Sequence, residues 1–375
     1  MFLDLPTLFE ALRTALFRKR NSLRSFGFQF LSLLLLLVFH TIARTGQVLD
    51  RKVFGGHRTQ EIGAPIYIIA NPRSGTTFLH RLMSVDDQFT TFKLINTLLP
   101  AIVFYKLLAG LAAVDQKLGS PMIRTLNWIN EKGFRGWQGI HQTRLQEPEE
   151  DEQLFLYTLL SPSLLMFFPF PEELHRIRFV DNLDEEVRHR LMAYYKGCLR
   201  RHCYATGPGK TLLAKNVLIH GRLRSILQAV PDMRIVHLIR HPYESIPSFI
   251  NMYAVFWSST YPPGFADIEA FRGLARLLCD YYSYLLEIKR RIPADRFIEV
   301  RYEDLVAEPM QVLDRIYKTF NMNMSDEFKR RAEAETQKAR DYSSTHRYSL
   351  EQFGLKREWL YGELKEVFDE YGFEP

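Results

Sequence analysis

Cysteine is scarce in this chain of 375 residues, with Cys198, Cys203 and Cys279 as the three. They are too few and too scattered for a disulfide framework. The Cys198–Cys203 spacing has no His or Cys beside it to complete a zinc site. A reducing compartment fits this usage. Internal repeats and low-complexity stretches are missing too, which excludes repeat arrays and disordered linkers. Beyond residue 60 there is no surplus of charge. Residues 1–60 hold nine Lys/Arg against three Asp/Glu, and the remaining 40 basic and 40 acidic residues cancel. A neutral main body argues against nucleic acid as a partner. The net charge of +6 therefore belongs to the N-terminal segment.

Within that segment, residues 25–43 form a run of 19 without a charge, flanked by Arg24 and Arg44. This is just long enough to cross a bilayer. The five basic residues ahead of it would keep the N-terminus cytoplasmic. Gln29, Ser32, His40 and Thr41 weigh against a full span. Three placements stay open: across the membrane, in its interface, or packed beside the core. A signal peptide is disfavoured, because the start carries acids and Pro6 and shows no small-residue cleavage site. Residues 5–20 show a helical apolar stripe with a basic end, the pattern of an interfacial helix.

Beyond Gly55-Gly56 the chain alternates between strand and helix patterns. Strands are expected at 65–70, 212–215, 234–240 and 297–301, and helices at 77–83, 219–229, 245–253 and 271–291, with a helical end. Residues 94–145 read as a helical insertion rich in Leu and aromatics. The apolar run 159–170 is broken by Pro162 and Pro169, which suits the lip of a pocket, whereas 98–112 reads better as core. The expected fold is α/β, a P-loop-like and mostly parallel sheet flanked by helices, with helical insertions. A membrane-associated helical segment (1–60) precedes a catalytic domain (61–375).

The most informative stretch is Asn71-Pro72-Arg73-Ser74-Gly75-Thr76-Thr77-Phe78-Leu79, a strand end, a tight turn and a helix start. Such a turn aims backbone N–H groups at one point, where the helix dipole favours an anion. Gly75 permits close approach, Ser74, Thr76 and Thr77 add hydroxyls, and Arg73 adds a charged fork. The ATP-binding loop needs a second Gly and a Lys, and neither is present.

This loop resembles the 5′-phosphosulfate loop of sulfotransferases that use 3′-phosphoadenosine 5′-phosphosulfate (PAPS). The Arg73 variant is similar to the branch with many bacterial enzymes and the tyrosylprotein sulfotransferases. Three further motifs occur in that family's order. Arg240 with Ser248 resembles its 3′-phosphate site, Tyr302 its adenine-side tyrosine, and Lys215 its transition-state lysine. The similarity runs from about residue 65 to residue 353.

The resemblance implies transfer of a sulfonate from PAPS to a hydroxyl, without a metal. The apolar segments suggest a hydrophobic or lipid-like acceptor. The general base stays open. Val217 stands where cytosolic members carry a His, and residues 91–97 lack the Glu that tyrosylprotein sulfotransferases use. Glu150, Glu149 and His141 are the candidates, with His220 behind them. The acidic run 147–152 is also compatible with a solvated helix start, which Pro148 and the acids suit. A P-loop kinase is the competing enzyme, but no strand-end Asp is evident to hold Mg2+. A catalytically silent binding protein would be expected to lose Lys215 or Arg73, and both are present. PAPS synthesis in the cytosol favours the cytoplasmic membrane face. A spanning segment would instead place the catalytic domain in a lumen, where Asn323-Met324-Ser325 is a glycosylation acceptor.

Overall fold

The computed structural model describes residues 2–17, 22–121, 124–125, 147–265, 267–340 and 348–375. At its centre five parallel strands run in the order β2-β3-β1-β4-β5. They are β1 (Ile66–Ala70), β2 (Phe89–Thr91), β3 (Thr211–Asn216), β4 (Arg234–Ile239) and β5 (Phe297–Arg301). The four expected strands lie within a residue of where the sequence places them. β2 is the addition, a three-residue edge strand with too short an apolar run to be read in advance.

Every residue of β1 is buried, as a central parallel strand covered on both faces requires. Its side chains alternate between two layers. Ile66, Ile68 and Ala70 pack with Leu79, Leu82, Leu305 and Leu313 on one face. Tyr67 and Ile69 pack with Tyr195 and Leu199 on the other. A third cluster is built between helices, chiefly Pro242–Thr260, Ile268–Lys289 and Arg357–Tyr371, with the 157–177 segment. The first of these helices extends beyond the expected 245–253 at both ends, and the second starts three residues before and stops two residues short of the expected 271–291. Pro242 stands in the first turn of its helix, where a missing N–H costs nothing.

Two expectations give way. Residues 159–170 are not a lip: Leu160, Leu164, Leu165, Phe168 and Phe170 are fully buried. An irregular backbone can be interred when its carbonyls find donors. Trp257 Nε1 donates to Leu165 O at 3.1 Å, Arg222 Nη1 donates to Leu160 O at 3.2 Å, and the Tyr261 hydroxyl donates to Phe167 O. The 98–112 stretch is only half core. Ile102 and Tyr105 are buried while Leu107 and Leu111 are exposed.

The N-terminal helices α1 (Leu5–Phe17) and α2 (Leu23–Val53) are packed against this body. Helix α2 is long and apolar enough to cross a membrane. Many of its polar side chains are nevertheless turned inward, beside the buried Leu33, Leu36 and Ala43. Ser25, Gln29, Ser32, His40, Gln47 and Asp50 face inward. His40 Nδ1 lies 2.9 Å from Tyr157 O, and Gln47 Nε2 donates to Pro100 O at 3.0 Å. The Asp50 carboxylate accepts from the N–H groups of Ile102 and Val103 at 2.9 Å each and from Arg201 Nε at 3.0 Å. The outer face shows Phe30, Leu31, Leu34, Leu35, Val38 and Ile42. The exposed Thr41 and Thr45 hydroxyls turn back to carbonyls of their own helix.

Candidate active site

All the strands point their C-terminal ends to one edge of the sheet, where open α/β folds place their ligands. β1 ends in the loop 71–75, and helix α3 (Thr76–Ser84) comes next. Gly75 takes φ of 85° at the helix start, and Arg73 takes φ of 72°, a left-handed conformation costly for a side-chain-bearing residue. Arg240, just past β4, secures that turn, since its Nη1 donates to Arg73 O at 2.6 Å. Arg73 Nε in turn donates to Ser248 Oγ at 3.2 Å. Ser74 is buried and its hydroxyl donates to Asn71 O at 2.8 Å, closing the turn from inside.

Tyr302 comes directly after β5, and its ring lies against the loop. A Cβ on Gly75 would meet Tyr302 Cδ2 at 2.9 Å, so only glycine fits. The Arg240 guanidinium stacks over the same ring at 4.2 Å and pairs with Glu244 at its outer side. Arg73, Gly75, Arg240, Ser248 and Tyr302 are thus assembled in one place by the ends of β1, β4 and β5.

Lys215 lies near the end of β3 on the other side of the loop. Its ammonium donates to Thr77 Oγ1 at 3.2 Å and lies 3.2 Å from Glu150 Oε1 and 3.7 Å from Glu149 Oε1. Backbone bonds hold the acidic segment there: Glu149 N to Phe92 O at 2.9 Å and Asp151 N to Lys215 O at 3.3 Å. The two glutamates differ. Glu149 Oε1 also accepts the Glu150 N–H at 2.9 Å and keeps 7% of its side chain open, against 14% for Glu150.

The rest of the acidic run does other work. Glu147 pairs with Arg81 at 3.3 Å near the surface. Asp151 is fully buried, accepting from Asn216 Nδ2 at 2.7 Å and from the Tyr195 hydroxyl. Burial pushes its carboxyl up to about 7. Glu152 takes both oxygens to Arg222 Nη2, at 2.7 and 2.9 Å, and accepts from Ser161 Oγ at 2.6 Å. The Arg222 guanidinium lies 4.0 Å over the Phe155 ring. This buried ion pair braces the segment that carries Glu149 and Glu150.

His220 is packed on Tyr281 with ring centroids 5.3 Å apart, and burial lowers its pKa to about 3. His141 lies outside the described residues. One residue that sequence reasoning misses is His80, one turn into α3. It is buried, and burial together with the Lys215 charge lowers its pKa to about 3. Its place three residues after Thr77, on the helix the loop opens, is the available signal. Asn216, which ties Asp151 to β3, carries none.

Comparison with known proteins bears on the family and the fold. The profile of the "Sulfotransferase family" matches residues 65–326. The omega-hydroxy-beta-dihydromenaquinone-9 sulfotransferase Stf3 of Mycobacterium bovis is 26% identical over 335 residues, covering 86% of this chain and 80% of the relative. Its Mycobacterium tuberculosis counterpart matches equally. Among solved structures, sulfotransferase STF1 of Mycobacterium tuberculosis superposes with a TM-score of 0.73 at 18% identity, over 96% of this chain and 92% of that one. STF9 of Mycobacterium avium gives 0.73 at 18%, over 90% and 85%.

Proposed function

The chain belongs to the sulfotransferase family, and on that premise we propose that it moves a sulfonate from PAPS to the hydroxyl of a lipid-like acceptor at a membrane surface. The observation that carries this reading is Lys215, buried between the loop hydroxyl of Thr77 and the carboxylate of Glu150. In the proposed assignment, the loop amides with Arg73, Ser74, Thr76 and Thr77 hold the 5′-phosphosulfate. Arg240 and Ser248 hold the 3′-phosphate, and Tyr302 flanks the adenine. Gly75 lets the Tyr302 ring close against the loop, which supports placing the adenine end of the nucleotide beside it.

Sulfonyl transfer has a loose transition state, so placement and charge stabilisation supply most of the rate. As the acceptor oxygen bonds to sulfur, the bond from sulfur to the 5′-phosphate oxygen breaks and its electron pair leaves with the nucleotide. Lys215 stabilises the charge growing on that oxygen. In turning toward it, Lys215 loosens its hold on Glu150, whose carboxylate takes the acceptor's hydroxyl proton. Glu150 suits this role better than Glu149, which is already engaged by a backbone N–H.

The mycobacterial relative named for a hydroxylated menaquinone supports an acceptor of that lipid-like class. The inward-turned polar side chains of α2 support the membrane surface. A helix that turns Gln29, His40, Gln47 and Asp50 toward the protein and leucines outward lies along a bilayer instead of crossing it. The cytoplasmic face is favoured, because PAPS is made there and Cys198, Cys203 and Cys279 are all unpaired.

Titration calorimetry tests the donor. Arg240→Ala should weaken PAPS binding at least about tenfold, with little change for adenosine 5′-phosphosulfate, which lacks the 3′-phosphate. Equal losses for both would remove Arg240 from the 3′-phosphate site.

A further inference from the structure

An open pocket of about 720 Å³ lies where the C-terminal end of α2, the Gly55–Arg58 turn and the Glu185–Thr206 helix meet. Among the described residues five arginines line it, Arg51, Arg58, Arg190, Arg200 and Arg201, with two histidines and no carboxylate. Arg201 is already committed to the wall. It pairs with buried Asp50 at 3.0 Å and donates to Gly197 O at 2.9 Å. The others are spare. Arg51 and Arg58 are exposed, and Arg190 stacks on Phe2 at 4.9 Å with only a loose 3.9 Å pairing to Glu186. Arg200 Nε is buried with no hydrogen-bond partner among the described residues. Crowded guanidinium groups repel one another, and an unmatched buried donor costs free energy, so the pocket is arranged for an anion. The fork of arginine matches phosphate oxygens in particular.

The pocket's position narrows the source of that phosphate. Gln47 and Arg51 line it from α2, and the same turns of α2 expose Val48, Leu49 and Val53. The anion site therefore opens onto the edge of the outward apolar face. A ligand that meets both surfaces carries a phosphate at one end and hydrocarbon at the other. We propose that this pocket receives the phosphate headgroup of an anionic membrane lipid, fixing the orientation in which the enzyme lies on the bilayer. The proposal rests on the membrane-surface reading and deepens it. Free phosphate would satisfy the arginines but leaves the exposed valines and leucine without a role.

Flotation with vesicles of phosphatidylcholine, alone or with phosphatidylglycerol or phosphatidic acid, tests it. The triple variant R51Q/R58Q/R190Q removes three pocket charges without touching a buried pair. R290Q/R291Q/R330Q removes three exposed charges elsewhere and serves as control. The pocket triple should lose about tenfold or more in affinity for anionic vesicles, and the control about twofold or less. Equal losses, or binding indifferent to headgroup, would overturn the pocket while leaving membrane binding intact. Inorganic phosphate or glycerol 1-phosphate binding in solution as tightly as the vesicles would overturn the lipid assignment. Wild-type protein that co-floats with none of these vesicles would overturn the pocket and the membrane-surface reading together. Turnover of a water-soluble phenol, measured without lipid, should be unchanged in the pocket triple. Absence of turnover in the wild type would count against the sulfotransfer reading, and the vesicle result would stand separately.

Discussion

At the strand ends charged side chains are drawn inward and matched, whereas α2 turns many of its polar side chains inward and a stripe of large apolar ones outward. Around the loop, Lys215, Glu149, Glu150, Glu152 and Arg222 are all largely buried, and each charge has a partner within 4 Å. On α2 the inner face carries Gln29, His40, Gln47 and Asp50, and the outer face carries Phe30, Leu34 and Val38. The difference teaches that burial here follows the job of a surface more than the hydropathy of its residues. Charge is buried where the proposed chemistry needs a dry, preorganised site. Hydrocarbon is exposed where the surrounding medium is proposed to be lipid.

The comparison breaks most visibly at the buried pair. Glu152→Gln leaves Arg222 charged and unmatched in the interior, and unfolding in urea should show a loss of about 3–5 kcal/mol. Glu366→Gln, at the exposed 3.2 Å pair with Arg290, should cost less than about 1 kcal/mol. Similar costs for the two would show that the strand-end charges are not drawn into a dry site.

Asp151 gives a smaller and pH-dependent effect. Its folded pKa is raised by burial from 3.8 to about 7. Between those values the native state keeps a proton that the unfolded chain has released. The stabilisation is therefore full below about pH 4 and declines as pH rises toward 7. Asp151→Asn mimics the protonated carboxyl, so the drop in urea midpoint from pH 5 to pH 7.5 should shrink. An unchanged drop would assign it to another group.

The smallest expected change sharpens the other half of the comparison. Leu34→Ser with Val38→Ser, on the outer face of α2, should shift stability by no more than about 0.5 kcal/mol per site in buffer. Vesicle binding should weaken at the same time. A loss of several kcal/mol would mean that this face is covered by protein.

Much of the fold is legible in the sequence because β1, β3 and β4 are largely apolar runs bounded by turns and succeeded by helices. The loop is legible because Gly75 and its neighbouring hydroxyls mark an anion-binding helix start. β2 is not, since Phe89–Thr91 is too short to show a pattern and is defined by its pairing with β3. The acidic run is ambiguous for a different reason. The same letters describe a solvated helix start, and only the backbone bonds to Phe92 and Lys215 bring Glu149 and Glu150 to the lysine. Pro162 and Pro169 suggest an exposed edge, but donors from Trp257, Tyr261 and Arg222 allow that irregular backbone to be buried. Those donors come from distant parts of the chain and leave no local trace. Likewise α2 reads as an apolar segment, and which face meets the protein is fixed by partners at Tyr157, Pro100 and Arg201.

The central claim is that Lys215 and Glu150 act on a sulfonate delivered by PAPS to a lipid-like hydroxyl. Its most direct test is transfer of radiolabelled sulfonate from PAPS into an organic extract of the host membranes by purified wild-type, Lys215→Ala and Glu150→Gln proteins. The account predicts label in the extract with the wild type and rates at least about tenfold to a hundredfold lower for both variants, with PAPS affinity nearly unchanged in Lys215→Ala. Label transferred at wild-type rates by both variants, or no label transferred by the wild type, would contradict it.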